Sequence, residues 1–314
     1  MEAPTRYIVH LVARHSNWHP RDIDRTLRDD VYASRADWRQ LLQYLLLGAG
    51  ASFLLSGIFF FFAYNWAALP APIKIGLPVG GFTLTALAGL FLPLGDLARR
   101  VTLTAAVVLI GAILAVLGQV YQTGANAYDL FLTWSVLTLP WLVAVRFAPL
   151  WLLFVGLINV TFITYTQQLG IELAYLVSGM LLFGFNLAAW GLIWWLFRWR
   201  TGFDWLLRVI AFWAVIIATI NISAGAYDGQ PWQLIFTVLL AAVTYAGWTW
   251  LSLQQRSIYY LALVGGGTLI TLTFLILRWM DSAPGYLLAG TLLLVGITLL
   301  TRLLNHLNLG WRVR

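Results

Sequence analysis

From residue 41 onward the chain is a series of apolar runs of about twenty residues, each ended by a short polar turn. A helix rises 1.5 Å per residue, so such a run matches the roughly 30 Å of hydrocarbon in a bilayer. The runs fall at 42–64, 75–94, 101–120, 130–145, 150–165, 173–197, 205–223, 231–251, 258–277 and 286–304, which predicts about ten spans. Ahead of them, Tyr7, Ile8, Leu11 and Val12 recur at helical spacing and predict a short amphipathic helix to about His15. His19-Pro20 opens a second, with Asp22 and Asp24 placed for a positive helix N-terminus and Ile23, Leu27 and Val31 as its apolar stripe. The fold class expected is therefore all-α, a polytopic integral membrane protein. Its parts would be a charged helical head at 1–40, a transmembrane bundle at 41–305 and a basic tail at 306–314.

Composition agrees with the pattern. Of 314 residues, 61% are hydrophobic and only 10% charged, with mean hydropathy +0.81, far from the roughly one quarter charged of a soluble domain. The 17 tryptophans suit the membrane–water interface, where the ring is dry and the indole N–H wet. A net charge of +7 raises nucleic acid as a partner, but the arginines are spread over short loops instead of gathered on one face, so none is expected. With the N-terminus inside, seventeen of the nineteen basic residues fall in inner segments, leaving only Lys74 and Arg278 outside. This positive-inside bias predicts cytoplasmic termini in a bacterial inner membrane. The first apolar run follows a charged segment, so no cleavable signal peptide is expected.

One polar interruption stands out between two apolar runs: Gly118-Gln119-Val120-Tyr121-Gln122-Thr123-Gly124-Ala125-Asn126-Ala127-Tyr128-Asp129. Its amides and carboxylate must find partners or face water. It reads either as a loop in the headgroup zone or as a site contacting a substrate or partner at the outer face. Gln119, Tyr121, Gln122, Thr123, Asn126, Tyr128 and Asp129 are its candidate residues. Gln119, Tyr121 and Gln122 are expected to point into the bundle, since a lipid-facing glutamine pair is costly. A short echo, 124–129 against 223–228, raises a parallel repeat four spans apart.

Catalytic patterns are scarce. His10, His15, His19 and His306 lie in the terminal segments, Pro20 spoils the His15–His19 spacing for a metal, and no cysteine is present. No metal, other cofactor or catalytic residue is expected. The outward acids Asp129, Glu172, Asp228 and Asp281 sit in four different loops, where their ordinary role is as solvated loop groups. The first outer loop, 65–74, has no acid, which argues against lipid-linked sugar transfer. No span holds a mid-membrane charge of the kind ion-coupled carriers bury; Asn159, Asn186 and Asn221 are milder and suit helix–helix hydrogen bonds.

Asn65-Trp66 followed by Pro70 and Lys74 forms one motif. The second runs from Gly118 through Gly124, then Tyr128, Leu130, Phe131, Trp134 and Pro140-Trp141. Together they resemble the bacterial membrane proteins of domain-of-unknown-function family 2157. The resemblance is firmest over 41–159. It implies this architecture and an inner-membrane location, adds Asn65, Trp66, Lys74 and Trp134 as companions of the polar stretch, and supplies no activity. Two function classes follow. One is a non-catalytic component that handles or senses an envelope lipid or polymer intermediate. The alternative is a transporter or channel with a path through the bundle. Membrane lipids are the expected partners, with the head available to a cytoplasmic protein.

Reporter fusions test the topology. Fusions after Trp66 and Asp129 are expected to report the outer face and those after Arg99 and Arg200 the cytoplasm; a cytoplasmic signal at Asp129 contradicts the span count.

Overall fold

Short polar side chains set where the first helices begin. In the computed structural model, which describes residues 6–122, 124, 126–168, 175–199, 202–228 and 231–313, α1 spans Arg6–Arg14 and α2 spans Pro20–Thr26. The Asp22 carboxylate accepts from the His19 backbone N–H at 3.2 Å, and Pro20 occupies the first turn, where its missing donor costs nothing. A π-helical turn, Leu27–Val31, follows, and Val9 and Leu27 are the buried apolar residues of this head.

Ser34 and Asp37 form a second capping box. The Ser34 backbone N–H and hydroxyl both donate to Asp37 Oδ2 at 2.8 Å, and α3 runs unbroken from Arg35 to Asn65. The membrane run 42–64 is thus continuous with the helix that starts inside the charged segment. Those two bonds hold the Asp37 carboxyl below the usual carboxylate range. The cap is therefore intact above the unfolded value of about 4 and is lost as pH falls through the lower folded value.

The chain forms two compact units, Met1–Ala71 and Pro72–Arg314. The second contains α4 (Ala71–Phe91), α5 (Asp96–Tyr121), α6 (Ala127–Val145), α7 (Ala148–Gln168), α8 (Tyr175–Phe197), α9 (Asp204–Asp228), α10 (Pro231–Gln255), α11 (Ile258–Trp279) and α12 (Ala283–Val313). All nine are long and apolar enough to cross a membrane, and no strand occurs among the described residues. The protein is an all-α polytopic membrane protein. The expected run 42–64 lies within α3, several of whose side chains lie outside the described residues. The 306–314 segment expected as a tail continues α12 to Val313, because nothing after Leu304 breaks the helix.

Three hydrogen bonds join helix ends that are two crossings apart: Tyr128 N–H to Gln168 Oε1 (3.4 Å), Tyr259 O–H to the Arg208 carbonyl (2.8 Å) and Arg278 Nε–H to the Ala226 carbonyl (3.3 Å). Each is what up-and-down alternation requires.

α9 is the centre of the second unit. More than half of its apolar window, 56%, is buried inside the protein, against 28% at most for any other span. One core joins Phe183 of α8, Ala214 and Ala218 of α9, Trp248 of α10 and Tyr260 of α11. A second ties α7 and α8 to the start of α9, and a third packs Leu103 and Val107 of α5 on Leu142 of α6 and Leu150 of α7.

Polar side chains bond the helices where apolar packing alone is weak. Asn186 Nδ2 donates to Asn159 Oδ1 at 2.8 Å, Asn159 Nδ2 donates back at 3.3 Å, and each amide also donates to its own i−4 carbonyl. Trp213 Nε1 of α9 adds a third helix to the pair at 3.4 Å. Nearby, Asn221 Nδ2 reaches the Leu176 carbonyl (3.1 Å) and the Thr237 hydroxyl (3.3 Å), linking α8, α9 and α10. The expectation that these mid-span asparagines join helices holds. Gly179 of α8 faces Asn221, and a Cβ there would stand 2.3 Å from Asn221 Oδ1.

Asn159→Leu strands the Asn186 amide in a dry core, and the reverse change does the same. Each single variant is expected to lose about 1–2 kcal/mol of stability, with a coupling of about 0.6–1.7 kcal/mol recovered in the double variant. A double-mutant cycle in detergent, read by thermal or denaturant unfolding, checks this; additive losses contradict the pairing.

Candidate functional site

The polar stretch begins where α5 runs out of membrane. Arg99 and Arg100 hold the other end of α5 at an interface, so the roughly 30 Å of hydrocarbon that follows is used up near Gln119. The helix stops at Tyr121, and Gln122 adopts the left-handed conformation (φ 46°, ψ 45°) as its C-cap. Gly124 is left-handed as well, with φ 62°. Two such residues within three positions reverse the chain, and glycine suits the second because it has no Cβ to clash.

The reversed chain is caught by a capping box. Asp129 Oδ2 accepts from the Asn126 backbone N–H at 3.2 Å, and α6 starts at Ala127. Asp129 therefore acts first as a cap. Its outward companion Asp281 also has a local partner, accepting from the Tyr286 hydroxyl at 2.7 Å. Glu172 and the side chain of Asp228 lie outside the described residues.

Between the end of α5 and the start of α6 is an open groove of about 720 Å³. Leu114, Leu117 and Leu130 are the larger apolar groups of its lining, and Gln119, Gln122, Asn126, Asp129 and Thr133 the polar ones. Tyr128 closes its flank: its ring stands edge-on to Tyr165 of α7 at 5.2 Å, beside the Tyr128–Gln168 hydrogen bond.

The expected inward orientation of Gln119, Tyr121 and Gln122 is corrected by this arrangement. All three side chains are exposed, Tyr121 at 66%. α6 begins too late in the chain to cover the last turn of α5, so these groups lie at the surface end of the helix and line the groove or its edge. Thr123, expected among the site residues, lies outside the described ones.

Of the companions, Trp134 does a different job. Its indole N–H donates to the Val107 carbonyl at 2.9 Å, and its ring lies on Gly111, where a Cβ would come within 2.5 Å of it. Gly111 precedes Gln119 by two turns, about 12 Å along the axis. Trp134 thus docks α6 onto α5 below the groove and sets the groove's width from there. Trp141 makes a related contact, edge-on to Phe82 of α4 at 6.5 Å. Asn65 ends α3, with its side chain outside the described residues. Half-buried Trp66 opens a short 3-10 turn, and half-buried Lys74 stands in the first turn of α4.

The 124–129 and 223–228 echo does not extend to the backbone. The first copy is a left-handed turn entering a helix, whereas 223–228 is the helical end of α9, where Gly225 packs near Leu176 and Leu234. Among the described residues no group of histidines and acids could hold a metal ion.

Residues 24–151 match the family described as "Predicted membrane protein (DUF2157)". The resemblance read from the two motifs is shown over that segment, which contains α3 to α6 and the whole groove. DUF2157 is a membrane protein family of unknown function, and its segment covers less than half of this chain. No curated protein and no solved structure matches the chain.

Two substitutions in the DUF2157 segment separate turn geometry from side-chain chemistry. Gln122→Gly relieves a left-handed non-glycine residue and is expected to raise stability by about 1 kcal/mol. Gly111→Ala drives a methyl into the Trp134 ring and is expected to cost about 1–3 kcal/mol. Thermal unfolding in detergent reads both; a stable Gly111→Ala protein contradicts the docking role.

Proposed function

We propose that the protein is a non-catalytic inner-membrane component that handles or senses an envelope lipid or polymer intermediate at its outer face, through the α5–α6 groove. The observation that carries this reading is the groove's mixed lining of leucines and polar side chains. The leucines suit an acyl or isoprenoid chain, while the amides, a hydroxyl and a capped carboxylate suit a hydroxyl-rich headgroup. A polar lip that ends at the depth where hydrocarbon ends is the place where an amphiphile changes character.

The arginine distribution supports cytoplasmic termini, which puts the capped head 1–40 on the inner side, open to a protein partner. Transport through the bundle is the weaker reading. The mid-span amides Asn159 and Asn186 bond one another and their own helices, so they favour packing over lining a path.

The cysteine-free chain and the exposed Thr133 allow a direct test. A photo-reactive residue placed at 133 in native membranes is expected to capture a headgroup-bearing adduct. That adduct should fall at least several-fold when Gln119→Leu and Gln122→Gly are combined. Val143, 70% exposed near the other end of α6, is the control position. The same adducts at 133 and 143, unchanged by the substitutions, would overturn the reading.

A further inference from the structure

At the opposite membrane face, three crossings from the groove, the starts of α9 and α11 meet the ends of α8 and α10 around a cavity of about 310 Å³. Arg198 and Arg208 both line it, with Asp204, Gln255 and Ser257, against a wall that includes Trp190, Trp194 and Tyr260. Neither arginine makes an ion pair among the described residues; each is instead laid on aromatic rings. The Arg198 guanidinium is 5.1 Å from the Trp199 ring centre and 5.7 Å from that of Trp194, and Arg208 is 5.6 Å from that of Tyr259.

Ring stacking meets a guanidinium through its face and leaves its in-plane N–H donors unused. The aromatic positions are themselves set: the Tyr259 hydroxyl donates to the Arg208 carbonyl at 2.8 Å, and Trp190 and Trp194 stack in parallel 6.4 Å apart. Two guanidinium groups on one small cavity match the oxygens of a phosphate, which arginine binds in pairs. Asp204 on the same wall disfavours a bare, highly charged anion and accepts from a hydroxyl.

We propose that this cavity binds the phosphate of a hydroxylated, anionic phosphate ester, held by Arg198 and Arg208 with Asp204 on the hydroxyl. The site is independent of the outer-face groove, and its test does not involve the groove residues. A glycerol phosphate lipid headgroup and a soluble phosphate ester share this chemistry, so the experiment separates them.

The purified full chain in detergent is titrated with dihexanoyl phosphatidylglycerol, dihexanoyl phosphatidylcholine and glycerol 3-phosphate, and binding is read by isothermal titration calorimetry. The glycerol lipid is expected to saturate one site and to bind at least tenfold tighter than the choline lipid. Arg198→Gln and Arg208→Gln should each weaken it about tenfold or more, with Arg256→Gln, outside the cavity, as an unchanged control. Glycerol 3-phosphate binding as tightly as the lipid supports the phosphate site with a soluble ester as its source; weak competition assigns the lipid. If either glutamine variant unfolds, the Arg→Lys variant at that position replaces it, keeping charge while losing the fork, and is expected to weaken binding severalfold. Equal binding of the two lipids, or unchanged binding in folded Arg198 and Arg208 variants, overturns the proposal.

Discussion

Hydrocarbon offers no hydrogen bonds, so every amide placed in it must be met by another protein group. The Asn159–Asn186 pair answers that demand and shapes the second unit in doing so. Each amide bonds its partner across helices and its own helix at the i−4 carbonyl, and Trp213 adds α9 to the pair. α7, α8 and α9 are thereby fixed in rotation about their axes, and Asn221 does the same for α8, α9 and α10. Between lipid and lipid-like side chains there is little hydrophobic force to choose one helix rotation over another. Directional bonds make the choice, and α9, buried on most sides, follows from it.

The groove depends on the same logic nearer the surface. Trp134 on Gly111 brings α6 against α5, and the indole–carbonyl bond to Val107 fixes the height at which it does so. The Asn126–Asp129 cap and the left-handed Gln122 then determine how the chain turns between the two helices. What is left between a docked pair of helices and a capped turn is a groove lined by leucines and by polar side chains.

Hydropathy alone located nine of the ten expected runs as helices fit to span a membrane, because length and apolarity are properties of the run and not of its neighbours. The Pro20 helix start was legible for a related reason: its signal lies within a few residues. The start of α3 at Arg35 shows the limit, since the Ser34–Asp37 box carries the helix through the boundary suggested by charge. The depth of Gln119 and Gln122 was misread because burial depends on where α6 begins to cover α5, which no local pattern encodes. Gly111 was one small residue among several, and its meaning appeared only with Trp134 standing on it. The cavity at the α8–α9 turn was equally hidden. Its arginines served at first only to count spans, and their shared aromatic wall is assembled from four helices.

Occupancy of the α5–α6 groove by an amphiphile is the central claim. A density map of the full chain in nanodiscs of its native membrane lipid addresses this most directly. The account predicts a headgroup against Gln119, Gln122 and Asn126 with a chain running along Leu117 and Leu130. A closed, fully packed groove without lipid, together with a continuous hydrated path along α9, would contradict it.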